Sequence, residues 1–152
     1  MGTGRTLAVL LIDSEPAAAE LARLVLQQTG FEHHLTTLHD AHAAMRYLYR
    51  EPPFENAAVP DLVFLDLQLP RAEGLGVLSE IRRLRSHRQK VIAVAVFAPT
   101  ADERTSRAAV ALGADAVFVK PAGTADAAAL AATVRELWNR LTEALPLRRR
   151  QR

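Results

Sequence analysis

The 152-residue chain has no cysteine, which excludes a disulfide framework and a thiolate metal site and fits a reducing compartment. No apolar run is long enough to span a bilayer, and Met1 to Leu11 is too short and too weakly charged for a signal peptide. Aromatic residues are sparse at 5%, with one tryptophan, and internal repeats are absent. Net charge is small as well, a formal +2, and it is unevenly placed. Four of the 19 basic residues, Arg148, Arg149, Arg150 and Arg152, sit in the last five positions; without them 15 basic residues face 17 acidic ones, a body of net charge −2. The basicity therefore belongs to a tail and says little about a nucleic-acid-binding body. These absences predict a soluble, cytoplasmic protein with no membrane partner. What is present is a globular balance, 49% hydrophobic and 24% charged, at the size of one domain. Residues 1–147 read as that domain, with an extended final helix, and residues 148–152 as a disordered basic tail.

Short apolar runs alternate with helical patterns. Thr6 to Ile12 (TLAVLLI) ends at the polar cluster Asp13, Ser14, Glu15, Pro16, as a buried strand entering a turn does. Ala17 to Gln28 carries Leu21, Leu24, Val25 and Gln28 at helical spacing, with Gly30 as a stop signal. A weaker strand over Glu32 to Leu38 and a helix over Ala41 to Arg50 follow, then an irregular connection marked by Pro52, Pro53 and Pro60. Leu62 to Leu65, Val91 to Phe97 and Ala116 to Val119 predict three more strands. Gly74 to Leu84, Asp102 to Leu112 and Ala125 to Leu145 predict three more helices, the last facing the sheet through Leu130, Val134, Leu137 and Leu141. Five apolar strands alternating with five helices imply a doubly wound α/β domain, a parallel sheet covered on both faces.

In such sheets ligands bind beyond the carboxyl ends of the strands, at the switch point in strand order. Those ends carry Asp13 and Ser14, Asp66, Ala98, and Lys120 followed by Pro121. With the flavodoxin-like order 2-1-3-4-5, Asp13 and Asp66 become neighbours. Two carboxylates beside a lysine suit phosphoryl chemistry: one carboxylate as nucleophile, a hard divalent cation on oxygen ligands, and an ammonium on the phosphoryl oxygens. The plain alternative is that Asp13 and Asp66 cap the following helices and Lys120 pairs with either.

At these residues the chain resembles the receiver domain of bacterial two-component response regulators, through LLIDSEP at 10–16, PDLVFLDLQLPRAEG at 60–74 and LGADAVFVKP at 112–121. The resemblance implies that Asp66 is the phosphoacceptor, that Asp13 belongs to the acidic pair supporting Mg²⁺, that Gln68 is a main-chain ligand and that Lys120 contacts the phosphoryl group. It also implies a cis bond at Lys120–Pro121. YLYREPPFENAAVPDLVFLDLQLP, and ELWNRLTEALP over Glu136 to Pro146, are similar to the small single-domain regulators paired with phytochrome histidine kinases. That implies a sensor histidine kinase as partner and a homodimer formed near the final helix. Catalysis would at most be self-phosphorylation and dephosphorylation at Asp66.

Three positions depart from the family pattern. Ser14 replaces a second carboxylate, Ala98 replaces a threonine or serine, and Val117 stands where a switch aromatic is usual, with Phe118 one place later. Glu15 is one residue too far along to replace the acid simply, and Ser14 reads as a helix N-cap with Pro16 behind it. Thr100 offers a hydroxyl, but Pro99 argues against a register slip. The expectation is a degenerate site with weak or lost Mg²⁺ binding and slow or absent phosphorylation. The alternatives are a fully phosphorylatable Mg²⁺-dependent receiver and a nucleic-acid-binding regulator acting through the arginine tail.

Two further features have plain readings beside sharper ones. His39 and His42 are spaced as helical metal ligands would be but have no cysteine or clear carboxylate partner, and read as solvated surface. Trp138 can pack in the core against the sheet, but it falls outside the inward stripe of the last helix, so Trp138, Leu141 and Leu145 are expected to form the dimer contact.

Overall fold

In the computed structural model, residues 5–88, 91–100, 102–121 and 126–143 are described. The strands are β1 (Leu7–Ile12), β2 (His33–Leu38), β3 (Leu62–Asp66), β4 (Ala93–Ala98) and β5 (Ala116–Val119). The helices are α1 (Ala17–Thr29), α2 (Ala41–Leu48), α3 (Gly74–Arg88), α4 (Glu103–Ala111) and α5 (Ala127–Glu143). The strands pair in parallel in the order β2-β1-β3-β4-β5, the flavodoxin-like order.

Strand alternation divides the core into two layers. Leu10, Ile12, Val63, Leu65, Val94 and Val96 point to one layer with α2 and α3; Leu7, Val9, Leu11, Leu62, Phe64, Ala93 and Ala95 point to the other with α1 and α5. Burial on both faces is why β1, β3 and β4 read as continuous apolar runs. Buried Asp61 ties β1 to β3 at the far end of the sheet, accepting from the Ala8 amide at 2.8 Å and pairing with Arg5.

Several expected boundaries move. Helix α2 stops at Leu48, and Arg50 takes a left-handed φ of 54° in the turn that follows. Helix α3 runs on to Arg88, because no glycine or proline breaks its polar second half. The predicted N-cap at Ser14 is not made. Pro16 occupies the cap position with no side-chain hydrogen bond, and Ser14 is exposed. The β1–α1 turn is instead held by Asp13, whose Oδ1 accepts from the Glu15 amide at 2.9 Å. The cis bond found among the described residues is Pro52–Pro53, which corrects the expectation for Lys120–Pro121. Only about 0.5–1 kcal/mol separates the isomers of an X–Pro bond in a free chain, so tertiary context decides between them.

Trp138 is corrected most clearly. It is 9% exposed and belongs to the α1/α5 core layer, so it offers no aromatic surface for a subunit contact. Ala127, Ala131, Val134 and Trp138 form a second helical stripe beside the Leu/Val one, and the small residues let α5 approach Ala18 and Ala22 of α1. Half-buried Leu141 packs against the same layer. Leu145, the stretch to residue 147 and the tail at 148–152 lie outside the described residues. No helix among the described residues is long and apolar enough to cross a membrane.

Candidate functional site

The parallel pairing brings the carboxyl ends of β1, β3 and β5 to one edge. Ile12 pairs with Leu65, so Asp13 leaves β1 beside Asp66 at the end of β3. Lys120 follows β5 directly and stays in line because its amide donates to the Ala98 carbonyl at 2.9 Å. Lys120 Nζ lies 2.9 Å from Asp13 Oδ2 and 3.3 Å from Asp66 Oδ2. Asp13 and Asp66 are only 3% and 2% exposed. The three predicted site residues thus converge, which the helix-cap alternative does not require.

Local backbone sets the Asp66 carboxylate. Its Oδ1 accepts from the Gln68 amide at 2.8 Å, while the Leu67 amide donates to the Phe97 carbonyl at 3.0 Å. This leaves Oδ2 on the lysine side. Gly74 begins α3 against the same loop: a Cβ there would lie 2.7 Å from the Leu67 carbonyl oxygen and 3.0 Å from that of Asp66. Only glycine permits that approach. The intervening turn puts Arg71 at a left-handed φ of 63°.

The charges perturb one another. Burial pushes the Asp13 carboxyl above its usual 3.8, and the neighbouring Asp66 charge adds to this; the Glu15 amide and Lys120 oppose it without cancelling it. An apolar cavity of about 20 Å³, lined by Leu11, Phe64, Phe97 and Leu130, adjoins Asp13 and Lys120. Burial also works against the Lys120 ammonium. The hydrogen bond and charge of Asp13, followed by those of Asp66, outweigh it and raise Lys120 above 10.5.

The β4–β5 side is bare. Ala98 is buried, with no hydroxyl to offer, and Thr100 lies exposed beyond Pro99. Phe118 cannot replace an aromatic at Val117, because successive strand residues face opposite ways. Phe118 packs on Phe97, centroids 5.5 Å apart, in the α1/α5 layer, whereas Val117 packs in the other. His39 and His42 are exposed, and His39 Nδ1 lies 3.4 Å from the Asp13 carbonyl oxygen.

Glu15, set aside on its spacing and on the cap expected at Ser14, reaches the site. Its Oε1 lies 3.3 Å from Lys120 Nζ, although the side chain is 63% exposed. Three carboxylates therefore share one ammonium. Among the described residues no three His, Asp or Glu side chains form a ready metal cage. Mg²⁺ does not require one: it keeps several waters and takes one or two carboxylates, and the oxygen donors of Asp13 and Asp66 fit that demand.

A response regulator receiver domain model matches residues 9–134. The response regulator Rcp1 of Synechocystis is 37% identical over 75 residues, which cover 49% of this chain and about half, 51%, of that relative. The crystal structure of Mn²⁺-bound Rcp1 superposes with a TM-score of 0.74 at 28% identity, covering 87% of this chain and 94% of that one. That of the phosphorylated cyanobacterial phytochrome response regulator RcpA gives 0.72 at 26% identity, covering 88% and 94%.

Proposed function

Because this chain belongs to the response regulator receiver family, we propose that it acts as a receiver paired with a phytochrome-type sensor histidine kinase, with slow phosphotransfer to Asp66. The observation that carries this reading is the convergence of buried Asp13 and Asp66 on Lys120 at the switch point of the sheet. Kinship with Rcp1 and with the phytochrome regulator RcpA supports the choice of kinase.

In the proposed reaction an Asp66 carboxylate oxygen attacks phosphorus. The P–N bond of the kinase phosphohistidine breaks, the imidazole nitrogen keeps the electron pair, and an acyl phosphate forms on Asp66. The Gln68 amide orients Asp66 by holding Oδ1. Lys120 supplies positive charge to the incoming phosphoryl oxygens. Mg²⁺, held by Asp13, Asp66 and the Gln68 main chain, would neutralise further charge there. Catalysis is confined to gaining and losing this phosphoryl group.

Two deficits make the site slow in this reading. Ser14 brings no charge to the cation, whose affinity follows ligand charge, and Ala98 brings no donor to the phosphoryl group. The test is acetyl phosphate or beryllofluoride with Mg²⁺, following Asp66 by intact mass. Slow, partial modification is expected. Fast stoichiometric modification with ordinary Mg²⁺ affinity would favour the fully competent receiver instead, which the intact Asp13, Asp66 and Lys120 support. A salt-dependent DNA affinity that disappears on deleting residues 148–152 would favour the nucleic-acid reading.

A further inference from the structure

We infer that Glu15 partly offsets, in charge, the acid missing at position 14 and sets the residual cation affinity of the Asp66 site; this rests on the receiver reading above. By sequence order Ser14 is the residue expected beside Asp13, but it is exposed and takes no part in the cluster. The turn explains the exchange. Asp13 Oδ1 accepts from the Glu15 amide at 2.9 Å, which holds the Glu15 backbone against the Asp13 carboxylate. From there its longer side chain reaches the nitrogen that Asp13 and Asp66 already share, with Oε1 at 3.3 Å.

Charge counting points the same way. Asp13, Asp66 and Glu15 against Lys120 leave the cluster with two uncompensated negative charges, which one divalent cation balances. Without Glu15 a single charge remains. Glu15 is also the exposed member of the set, so it can move to a cation without opening the core.

The test measures Mn²⁺ binding to the full chain without any phosphoryl donor, by the electron paramagnetic resonance of free Mn²⁺ and by calorimetry. Glu15→Gln should weaken binding by about tenfold, as expected for losing a unit charge close to a divalent ion. Ser14→Ala should leave affinity unchanged, and Ser14→Asp in the Glu15→Gln background should restore it. Circular dichroism confirms folding, to which this exposed side chain contributes little. Wild-type binding that Glu15→Gln leaves unchanged overturns the inference alone. No wild-type binding into the millimolar range overturns the cation reading itself, and the inference with it.

Discussion

The two sides of the strand-end site differ in kind. At β1 and β3 the edge is charged, with buried Asp13 and Asp66 and their shared Lys120, joined by Glu15. At the end of β4 it is hydrocarbon: Ala98 is buried with no hydroxyl, and the face of β5 that would carry a switch aromatic carries Val117. Groups that hold charge and groups that would report a bound phosphoryl group are thus separable within one fold. A charged edge thus stands beside a strand end that carries neither a hydroxyl nor an aromatic on that face.

Removing the cation from the charged side should have the largest effect. Lys120→Ala leaves two buried carboxylates facing each other, and stability without divalent cation should fall by about 3 kcal/mol, measured by urea titration at neutral pH. A change well below that would mean that water already screens the pair and that the two sides differ less than the geometry implies. The raised Lys120 pKa sets the upper limit: its stabilising contribution is complete below pH 10.5 and is lost as pH rises through the folded-state value.

Supplying the missing group to the bare side is the next test. Ala98→Thr should speed acetyl phosphate modification of Asp66 by about tenfold, because a donor aimed at developing phosphoryl charge acts in a poorly hydrated place. Ala98 is 1% exposed, so overpacking should cost about 1 kcal/mol in the same variant. A gain in rate with that cost would locate the defect at one hydroxyl; no gain would place it elsewhere, with Ser14 the remaining deficit.

The smallest effect concerns Asp13. Its folded-state pKa is raised, so ionising it opposes folding. Below pH 3.8 the residue is neutral in both folded and unfolded chains, and Asp13→Asn should match the wild type in stability. As pH rises from 3.8 to the raised value the variant should become the more stable, with a higher urea midpoint and an unchanged slope, while binding Mn²⁺ more weakly. Equal stability at neutral pH would mean that Lys120 and the Glu15 amide fully offset burial.

Much of this is legible in the sequence. The apolar runs TLAVLLI and LVFL, each followed by an aspartate, imply buried strands and site residues together, because a parallel strand hides both faces and exposes its end. Trp138 was misread because alanines carry little weight in an apolar pattern. The stripe Ala127–Ala131–Val134–Trp138 is visible only once α1 presents Ala18 and Ala22 to it. The Ser14 cap was misread because Asp13 competes for the same turn and accepts the Glu15 amide itself.

The sequence by itself determined the layer order, the two-sided core and the aspartate and lysine at the strand ends, since periodicity and strand-end position are local properties of a chain. Tertiary structure alone decided that Glu15 rather than Ser14 meets Lys120, 105 positions away. The reach of a glutamate from a turn depends on where a distant strand delivers its ammonium, and no spacing along the chain encodes that distance.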